Sequence, residues 1–247
     1  MSFKDHFSRQ ATDYAKFRPR YPRALFAFIA ANSPNELAAL DCATGNGQAA
    51  LGLAEFFQKV IAIDASASQI ENARRDARVE YRAAAAEASG LGASSCAAIT
   101  VAQALHWFRL DDFYAEANRV LQPGGLLAVW TYEHFRVSPA IDALVRHYCD
   151  NVVGSYWPPE RKLVGPAYLD LPFPFPEIET PEFQMEARWS REHLLGYLRT
   201  WSATQRFMAA IGEDPLDLIA HDLTQAWGNS VEERLVIWLL TTRIGRA

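Results

Sequence analysis

The stretch Asp41-Cys42-Ala43-Thr44-Gly45-Asn46-Gly47-Gln48 decides the fold class, because it joins a short apolar run to a segment with helical periodicity. Its two glycines let the backbone turn tightly and let a ligand approach without a Cβ in the way. The free amides at the start of the following helix carry partial positive charge. The stretch therefore predicts a cofactor-binding turn between the first strand of a parallel sheet and its crossover helix.

Short apolar runs alternate with helical patterns on both sides of this turn, as in a parallel sheet with crossover helices. We predict five strands in this core, at residues 37–42, 60–63, 79–83, 97–101 and 126–130. The helices between them are predicted at residues 48–57, 66–77 and 110–121, with Ser66 as a cap. Two later strands, at residues 183–189 and 235–240, enclose helices at 192–212 and 216–227 and predict a final antiparallel pair.

The whole chain, residues 1–247, is predicted to form one domain, because no Gly/Ser-rich or charged linker interrupts it. We divide it into an N-terminal lid segment (1–36), a cofactor-binding core (37–131), an insertion over the acceptor pocket (132–181), and C-terminal helices with the strand pair (182–247). The insertion is rich in proline and aromatic residues, which predicts an ordered, buried segment.

Composition excludes several classes of protein. Of the 247 residues, 50% are apolar and 21% are charged, and the net charge of −5 is spread without basic runs, which argues against nucleic-acid binding. The three cysteines have no metal-ligand spacing, so we predict no metal site and reduced thiols. Without an apolar signal core or membrane-spanning run, a soluble cytoplasmic protein is expected.

Asp64 ends the second predicted strand, where its carboxylate can accept hydrogen bonds from both hydroxyls of a ribose. Together with the glycine turn, this acid indicates an adenosine cofactor. It does not separate S-adenosylmethionine from a nicotinamide dinucleotide, because Gly45-x-Gly47-x-x-Ala50 also fits the dinucleotide fingerprint.

Other stretches accompany the turn in a fixed order along the chain. They are Tyr14-x-x-x-Arg18-Pro19-x-Tyr21-Pro22, Ala86-Glu87, Ala104-Leu105-His106-Trp107-Phe108, Leu121-Gln122-Pro123-Gly124-Gly125 and Leu195-Gly196-Tyr197-Leu198-Arg199-Thr200-Trp201-Ser202-Ala203. With these motifs the chain resembles the class I S-adenosylmethionine-dependent methyltransferases that carry a methyltransferase type 11 domain. Within them it resembles the trans-aconitate methyltransferase-like subgroup, over nearly its whole length.

The resemblance implies a Rossmann-like α/β fold with a mostly parallel seven-stranded sheet, helices on both faces and an antiparallel C-terminal strand pair. It implies S-adenosylmethionine as the cofactor and S-adenosylhomocysteine as its product. The residues that it places at the cofactor are Tyr14, Arg18, Asp41, Ala43, Gly45, Gly47, Gln48, Asp64, Ala65, Ala86, Glu87 and Gln103.

Each group of these residues has an implied role. The turn faces the methionine part, Asp64 and Ala65 hold ribose and adenine, Ala86 and Glu87 flank the adenine, Gln103 lies beneath the sulfonium, and Tyr14 with Arg18 closes as a lid. Alanine stands at positions 43, 85 and 97, where the family has a glycine and two acids, which predicts weaker or less specific cofactor binding.

The acceptor is expected to be a small molecule methylated on a carboxylate or hydroxyl oxygen. His106 follows the fourth strand and is the candidate base for a hydroxyl or amine; it would only position a carboxylate. The candidate acceptor-binding residues are Trp107, Tyr132, Trp157, Arg161 and Trp201. The structural alternative is that the aromatic residues only fill the core and that Arg161 is an exposed basic residue.

Two other functions fit parts of the pattern. A nicotinamide-dependent oxidoreductase shares the turn and the acid, and a catalytically inactive cofactor-binding relic is consistent with the three alanines. The expected partners are a small-molecule acceptor, with neither nucleic acid nor membrane, and the expected state is a monomer or homodimer.

Overall fold

The computed structural model describes residues 17–164, 166–228 and 232–247. Tyr14 lies outside these ranges. The strands are β1 Ala38–Cys42, β2 Lys59–Asp64, β3 Val79–Ala83, β4 Cys96–Ala102, β5 Leu121–Thr131, β6 Phe135–Arg136, β7 Phe183–Trp189 and β8 Arg234–Arg246. The α-helices are α1 Arg23–Asn32, α2 Gln48–Ala54, α3 Ala67–Glu71, α4 Leu110–Val120, α5 Pro139–His147, α6 Arg191–Arg199, α7 Ser202–Ile211 and α8 Ala220–Trp227.

The strands form one mixed sheet in the order β3-β2-β1-β4-β5-β8-β6, and β7 also pairs with β8. Strands β1 to β5 are parallel, whereas β8 is antiparallel to β5, β6 and β7. This is the predicted Rossmann-like α/β fold with antiparallel C-terminal strands. Within the described ranges the sheet has eight strands instead of seven, because the two-residue β6 is too short to leave a periodic signal.

Alternating side chains of β5 show how the sheet is buried on both faces. Leu126, Ala128 and Trp130 belong to the core on the side of α1 and α2. Leu127 and Val129 belong to the core on the opposite side, against α4. Because successive strand residues point to opposite faces, this continuous apolar run indicates a strand covered on both sides.

Several element boundaries differ from the sequence predictions: α2 ends at Ala54 and not at residue 57, and β5 begins at Leu121 and not at residue 126. Helix α3 is shorter than predicted and ends at Glu71, although Ser66 caps it as expected by accepting from the Gln69 N–H at 3.4 Å. The predicted helix at 192–212 is two helices, because Trp201 takes an extended conformation between α6 and α7. Strand β8 continues well past residue 240, because pairing with β5 stabilises a polar continuation that lacks strand periodicity.

The insertion packs onto the second half of β8. Ile178 donates its N–H to the Ile244 carbonyl at 2.8 Å, and Arg246 donates to the Pro176 carbonyl at 3.0 Å. Gly245 lies beneath this crossing, where a Cβ would be 2.6 Å from Phe175 Cβ and 2.8 Å from the Phe175 carbonyl oxygen. Only glycine leaves room for this approach.

We expect Gly245→Ala to destabilise the fold by about 1–3 kcal/mol, the usual cost of overpacking, because neither contact can rotate away. Gly92→Ala is the matched control, since its Cβ would meet no described atom within 4 Å. Urea denaturation of the two variants checks this. Equal urea midpoints for the two variants would show that the insertion can move away from Gly245 without loss of stability.

Candidate active site

The glycine turn joins β1 to α2 in left-handed backbone conformations. Gly45 and Gly47 have φ of 55° and 87°, and Ala43 has φ of 52°. A Cβ at Gly47 would lie 2.1 Å from the Tyr81 hydroxyl oxygen, which itself donates to the Arg74 carbonyl. Gly47 is therefore required for conformation and for space, whereas Ala43 holds a conformation that favours glycine at a cost of order 1 kcal/mol.

The buried carboxylate of Asp41 fixes this turn through hydrogen bonds. Asp41 is 0% exposed, and it accepts hydrogen bonds from the hydroxyls of Thr44 at 2.6 Å and Thr100 at 2.7 Å. It also accepts from the backbone N–H of Ala50 in the first turn of α2. Asp41 thus ties together the turn, the start of α2 and β4. Its predicted direct contact with the cofactor stays a prediction.

Burial dominates the titration of Asp41. Desolvation raises its pKa from 3.8 to about 6, against the lowering effect of its three hydrogen bonds. The charge of Asp64 raises it further. The folded state therefore retains this proton to a higher pH than the unfolded chain does.

Asp64, at the end of β2, connects the turn to the next loop. One carboxylate oxygen accepts the Gly45 N–H and the other accepts the Ser66 N–H, both at 2.9 Å. The side chain is 8% exposed. Each carboxylate oxygen can accept a second hydrogen bond, so the geometry is compatible with ribose binding.

Asn46, which sequence reasoning missed, lies between the two glycines. It is 4% exposed, and its Nδ2 has no hydrogen-bond partner among the described residues. A buried amide without a partner is costly, so this donor fits a ligand acceptor beside the turn. Its only sequence signal is its position in the motif.

The structure places the remaining residues predicted at the cofactor as follows. Gln48 opens α2, Ala65 is exposed directly after β2, and Ala86 is buried. Glu87 accepts the Arg109 backbone N–H at 2.9 Å, so its carboxylate also fixes the loop before α4.

Gln103 follows β4 with φ of 57°, an unusual conformation for a residue with a side chain. Its amide nitrogen donates to the Tyr132 carbonyl at 2.6 Å, and its amide oxygen accepts from the Thr131 hydroxyl at 2.7 Å. The side chain therefore clamps the ends of β4 and β5 together. Arg18 reaches the same region and donates to the Tyr132 hydroxyl at 3.2 Å, with its guanidinium 5.0 Å from the Tyr197 ring centroid.

His106 lies against the insertion. Its Nδ1 is 2.7 Å from the hydroxyl oxygen of Tyr168, and its ring centroid is 4.6 Å from that of Trp107. Burial, helped by the nearby charge of Arg161, lowers the pKa of His106 from 6.5 to about 4. The imidazole is therefore neutral near pH 7.

The other predicted acceptor-side residues form an aromatic and basic cluster. The Arg161 guanidinium lies 3.2 Å from Glu133 and 4.7 Å from the Trp157 ring centroid. The rings of Trp157 and Trp201 are 5.5 Å apart, and Trp201 and Tyr132 are 7% and 6% exposed. Tyr168 and Glu133 were missed by the sequence analysis, because they reach the site only through the fold of the insertion.

Comparisons with known proteins agree with this geometry. A family model described as a methyltransferase domain matches residues 40–129. A Dictyostelium discoideum protein named as a methyltransferase is 36% identical over 229 residues, which are 91% of this chain and 87% of that protein. The chain belongs to the class I S-adenosylmethionine-dependent methyltransferases.

Two further matches agree with this membership. A solved structure from Anaeromyxobacter dehalogenans, described as a type II methyltransferase, is 47% identical with a TM-score of 0.88, covering 93% of this chain and 98% of that one. A Saccharomyces cerevisiae protein named as an S-adenosylmethionine-dependent methyltransferase is 26% identical over 132 residues, or 50% of this chain and 45% of that protein. The trans-aconitate methyltransferase-like subgroup stays a prediction.

The residues of this methyltransferase fit S-adenosylmethionine. A Cβ at Gly45 would have its nearest neighbour at 4.0 Å, so the turn leaves open space above its backbone, while Asn46 offers a donor and Asp64 an acid. The family match favours this cofactor over a nicotinamide dinucleotide. Within the described ranges, no helix is long and apolar enough to cross a bilayer and no cluster of metal-ligating side chains occurs.

The raised pKa of Asp41 makes the stability of the fold depend on pH in a defined direction. Because the folded pKa of about 6 exceeds the unfolded value of 3.8, the stability from this group is present below pH 3.8 and is lost as the pH rises through 6. A shift of this size corresponds to about 3 kcal/mol, since one unit is worth about 1.36 kcal/mol.

We expect Asp41→Asn to remove this decline in the free energy of unfolding, measured by urea denaturation at a series of pH values across that window. The exposed Asp222→Asn serves as the control and should keep the wild-type slope. If the slopes of Asp41→Asn and the wild type coincide, folding does not raise the pKa of Asp41 above its value in the unfolded chain.

Proposed function

We propose that this methyltransferase transfers the methyl group of S-adenosylmethionine to an oxygen atom of a small molecule, with a carboxylate favoured over a hydroxyl. The observation that carries the proposal is the arrangement of His106, which follows Gln103 along the chain and contacts Tyr168, with the guanidinium of Arg161 nearby beside Trp157. Aromatic rings surround the cluster. Such a site suits a small acidic acceptor with apolar parts.

When bound, S-adenosylmethionine supplies an electrophilic methyl group on a positively charged sulfur. The turn amides, Asn46 and Asp64 would hold it, with Ala65 and Ala86 beside the adenosine and Arg18 over the carboxylate. Gln103 would keep the end of β4 rigid below the reacting atoms. Fixing both reactants in line can contribute on the order of 7–11 kcal/mol.

Charge decides between the two oxygen acceptors. A carboxylate oxygen is already a nucleophile, so its lone pair can attack the methyl carbon without loss of a proton. A hydroxyl needs a base, and an imidazole with a pKa of about 4 is a weak one. Arg161 would neutralise the acid and hold it against Trp157.

Asp64→Asn tests the cofactor site. It keeps the shape of the side chain and one acceptor for the amides of Gly45 and Ser66, but loses the charge that the ribose hydroxyls would meet. We expect a loss of about 10–100-fold in S-adenosylhomocysteine affinity by calorimetry, since hydrogen bonds to charged groups contribute about 1.5–3 kcal/mol. Asp222→Asn should bind normally, and unchanged binding by Asp64→Asn removes Asp64 from the site.

Arg161→Gln tests the acceptor side. Turnover is first measured on a panel of small carboxylic acids, phenols and amines. The variant should raise KM for the acids by about tenfold, which corresponds to about 1.4 kcal/mol, and leave S-adenosylhomocysteine affinity unchanged. The exposed Arg188→Gln is the control.

Glu133→Gln sharpens this test, because Glu133 competes for the same guanidinium. It should lower KM for the acids. The carboxylate proposal is contradicted if only phenols or amines are methylated, or if Arg161→Gln leaves the KM for the acids unchanged. No methyl transfer to any compound, despite cofactor binding, would favour the inactive relic.

A further inference from the structure

Tyr168 occupies a position in the insertion that the methyl-transfer proposal does not use. It is 1% exposed, and its hydroxyl oxygen lies 2.7 Å from His106 Nδ1. The two rings are inclined by only 30°, with centroids 5.9 Å apart. The phenol therefore meets one defined ring nitrogen of the histidine, and not the ring as a whole.

The backbone at Tyr168 is held in an uncommon conformation. Ala167 and Tyr168 have φ of 55° and 63°, so two successive residues with side chains are left-handed. Such conformations persist where the surroundings hold them, and they cluster at functional sites.

Arg243, on β8, provides that hold. Its Nη1 donates to the carbonyls of Tyr168 at 2.9 Å and Leu171 at 2.8 Å, and its Nη2 pairs with Glu177 at 2.7 Å. The guanidinium also lies 4.6 Å from the Phe173 ring centroid. One buried arginine thus anchors the segment 168–177 at both ends.

Donor and acceptor strength determine which atom carries the proton in the 2.7 Å contact between the Tyr168 oxygen and His106 Nδ1. A phenol O–H is a stronger donor than an imidazole N–H, and an unprotonated imidazole nitrogen is a stronger acceptor than a phenol oxygen. The short contact therefore carries the phenol proton, donated from Tyr168 to an unprotonated Nδ1.

The nearby Thr131 is the competing acceptor for that proton. Its own hydroxyl proton is committed to Gln103 Oε1, so it could only accept. A hydroxyl oxygen is a weaker acceptor than an unprotonated imidazole nitrogen, and the Tyr168 oxygen lies only 2.7 Å from Nδ1. The imidazole nitrogen is therefore the acceptor.

We propose that Tyr168 is a positioning residue that fixes His106 in the tautomer with its proton on Nε2, and that Arg243 holds Tyr168 in place. His106 is then a neutral donor and not a base in the resting enzyme. The charged groups that act on its ring are Arg161 and Glu160.

The consequence for catalysis rests on the proposed function. With a carboxylate acceptor, Nε2–H donates to one oxygen while the other attacks. The new O–C bond forms as the S–C bond breaks, and the bonding pair returns to sulfur and neutralises its charge. No proton changes place, so a donor histidine serves this reaction, whereas a hydroxyl acceptor would leave its proton unassigned.

The tautomer can be measured without acceptor or turnover. The full chain, labelled with 15N-histidine, is examined by long-range 1H–15N correlation spectra between about pH 5 and pH 8. The His106→Gln variant identifies the signals of His106 among those of the six histidines. We expect an unprotonated Nδ1 and a protonated Nε2 throughout this range. A proton on Nδ1, or titration near pH 6.5, overturns the proposal.

Two tyrosine-to-phenylalanine variants distinguish a specific positioning role of Tyr168 from general stabilisation of the segment 168–177. Tyr168→Phe should convert His106 to a mixture of tautomers and lower kcat for acids more than it raises KM. Tyr114→Phe is the control, because the Tyr114 hydroxyl bonds the same segment at the Pro172 carbonyl at 2.6 Å. Equal changes in the His106 signals in both variants would contradict a specific role of Tyr168.

The wild-type spectrum decides the tautomer even if Tyr168→Phe does not fold. Arg243→Lys provides a further test, since lysine lacks the fork that reaches two carbonyls and a carboxylate together. It should give the same mixture of tautomers as Tyr168→Phe. S-adenosylhomocysteine affinity, measured on the same samples, reports on the proposed function separately, because its absence would leave the tautomer result intact.

Discussion

Three separate parts of the molecule meet at the carboxylate of Asp41. The hydroxyl of Thr44 belongs to the turn, that of Thr100 to β4, and the N–H of Ala50 to α2, and all three donate to it. A fully buried carboxylate is tolerated only when hydrogen bonds compensate for lost hydration. The group therefore imposes one arrangement on the turn, because any displacement leaves an acceptor buried without a donor.

That arrangement aligns the two sides of the site. Strands β1, β2 and β4 are neighbours in the sheet, so the turn, Asp64 and Gln103 emerge at the same edge. Asp64 links the turn to the loop after β2, while Gln103 links β4 to β5. The cofactor side is thus built from short connections between adjacent strands. The predicted acceptor side instead depends on the insertion, which Arg243 of β8 joins to the sheet.

This difference explains what could be predicted from the sequence. The turn, Asp64 and the five parallel strands are local patterns, and they lie where the periodicity indicated. The two-residue β6, the break at Trp201 and the polar half of β8 depend on tertiary pairing, which leaves no periodic trace. The contact of Tyr168 with His106 was missed for the same reason, since the two residues are separated by 62 positions along the chain. His106 was predicted as a site residue from its place after β4, but its burial depends on residues brought in from the insertion.

The antiparallel pairing of β5 with β8 also has a consequence for synthesis on the ribosome. Residues 126–131 of β5 pair with residues 241–246, so one edge of an apolar inner strand gains its partner only when those later residues have emerged. Until then the nascent chain presents an open edge of the kind that recruits other strands. A chain truncated before residue 241 would lack this partner strand and would be prone to aggregate through the open edge of β5.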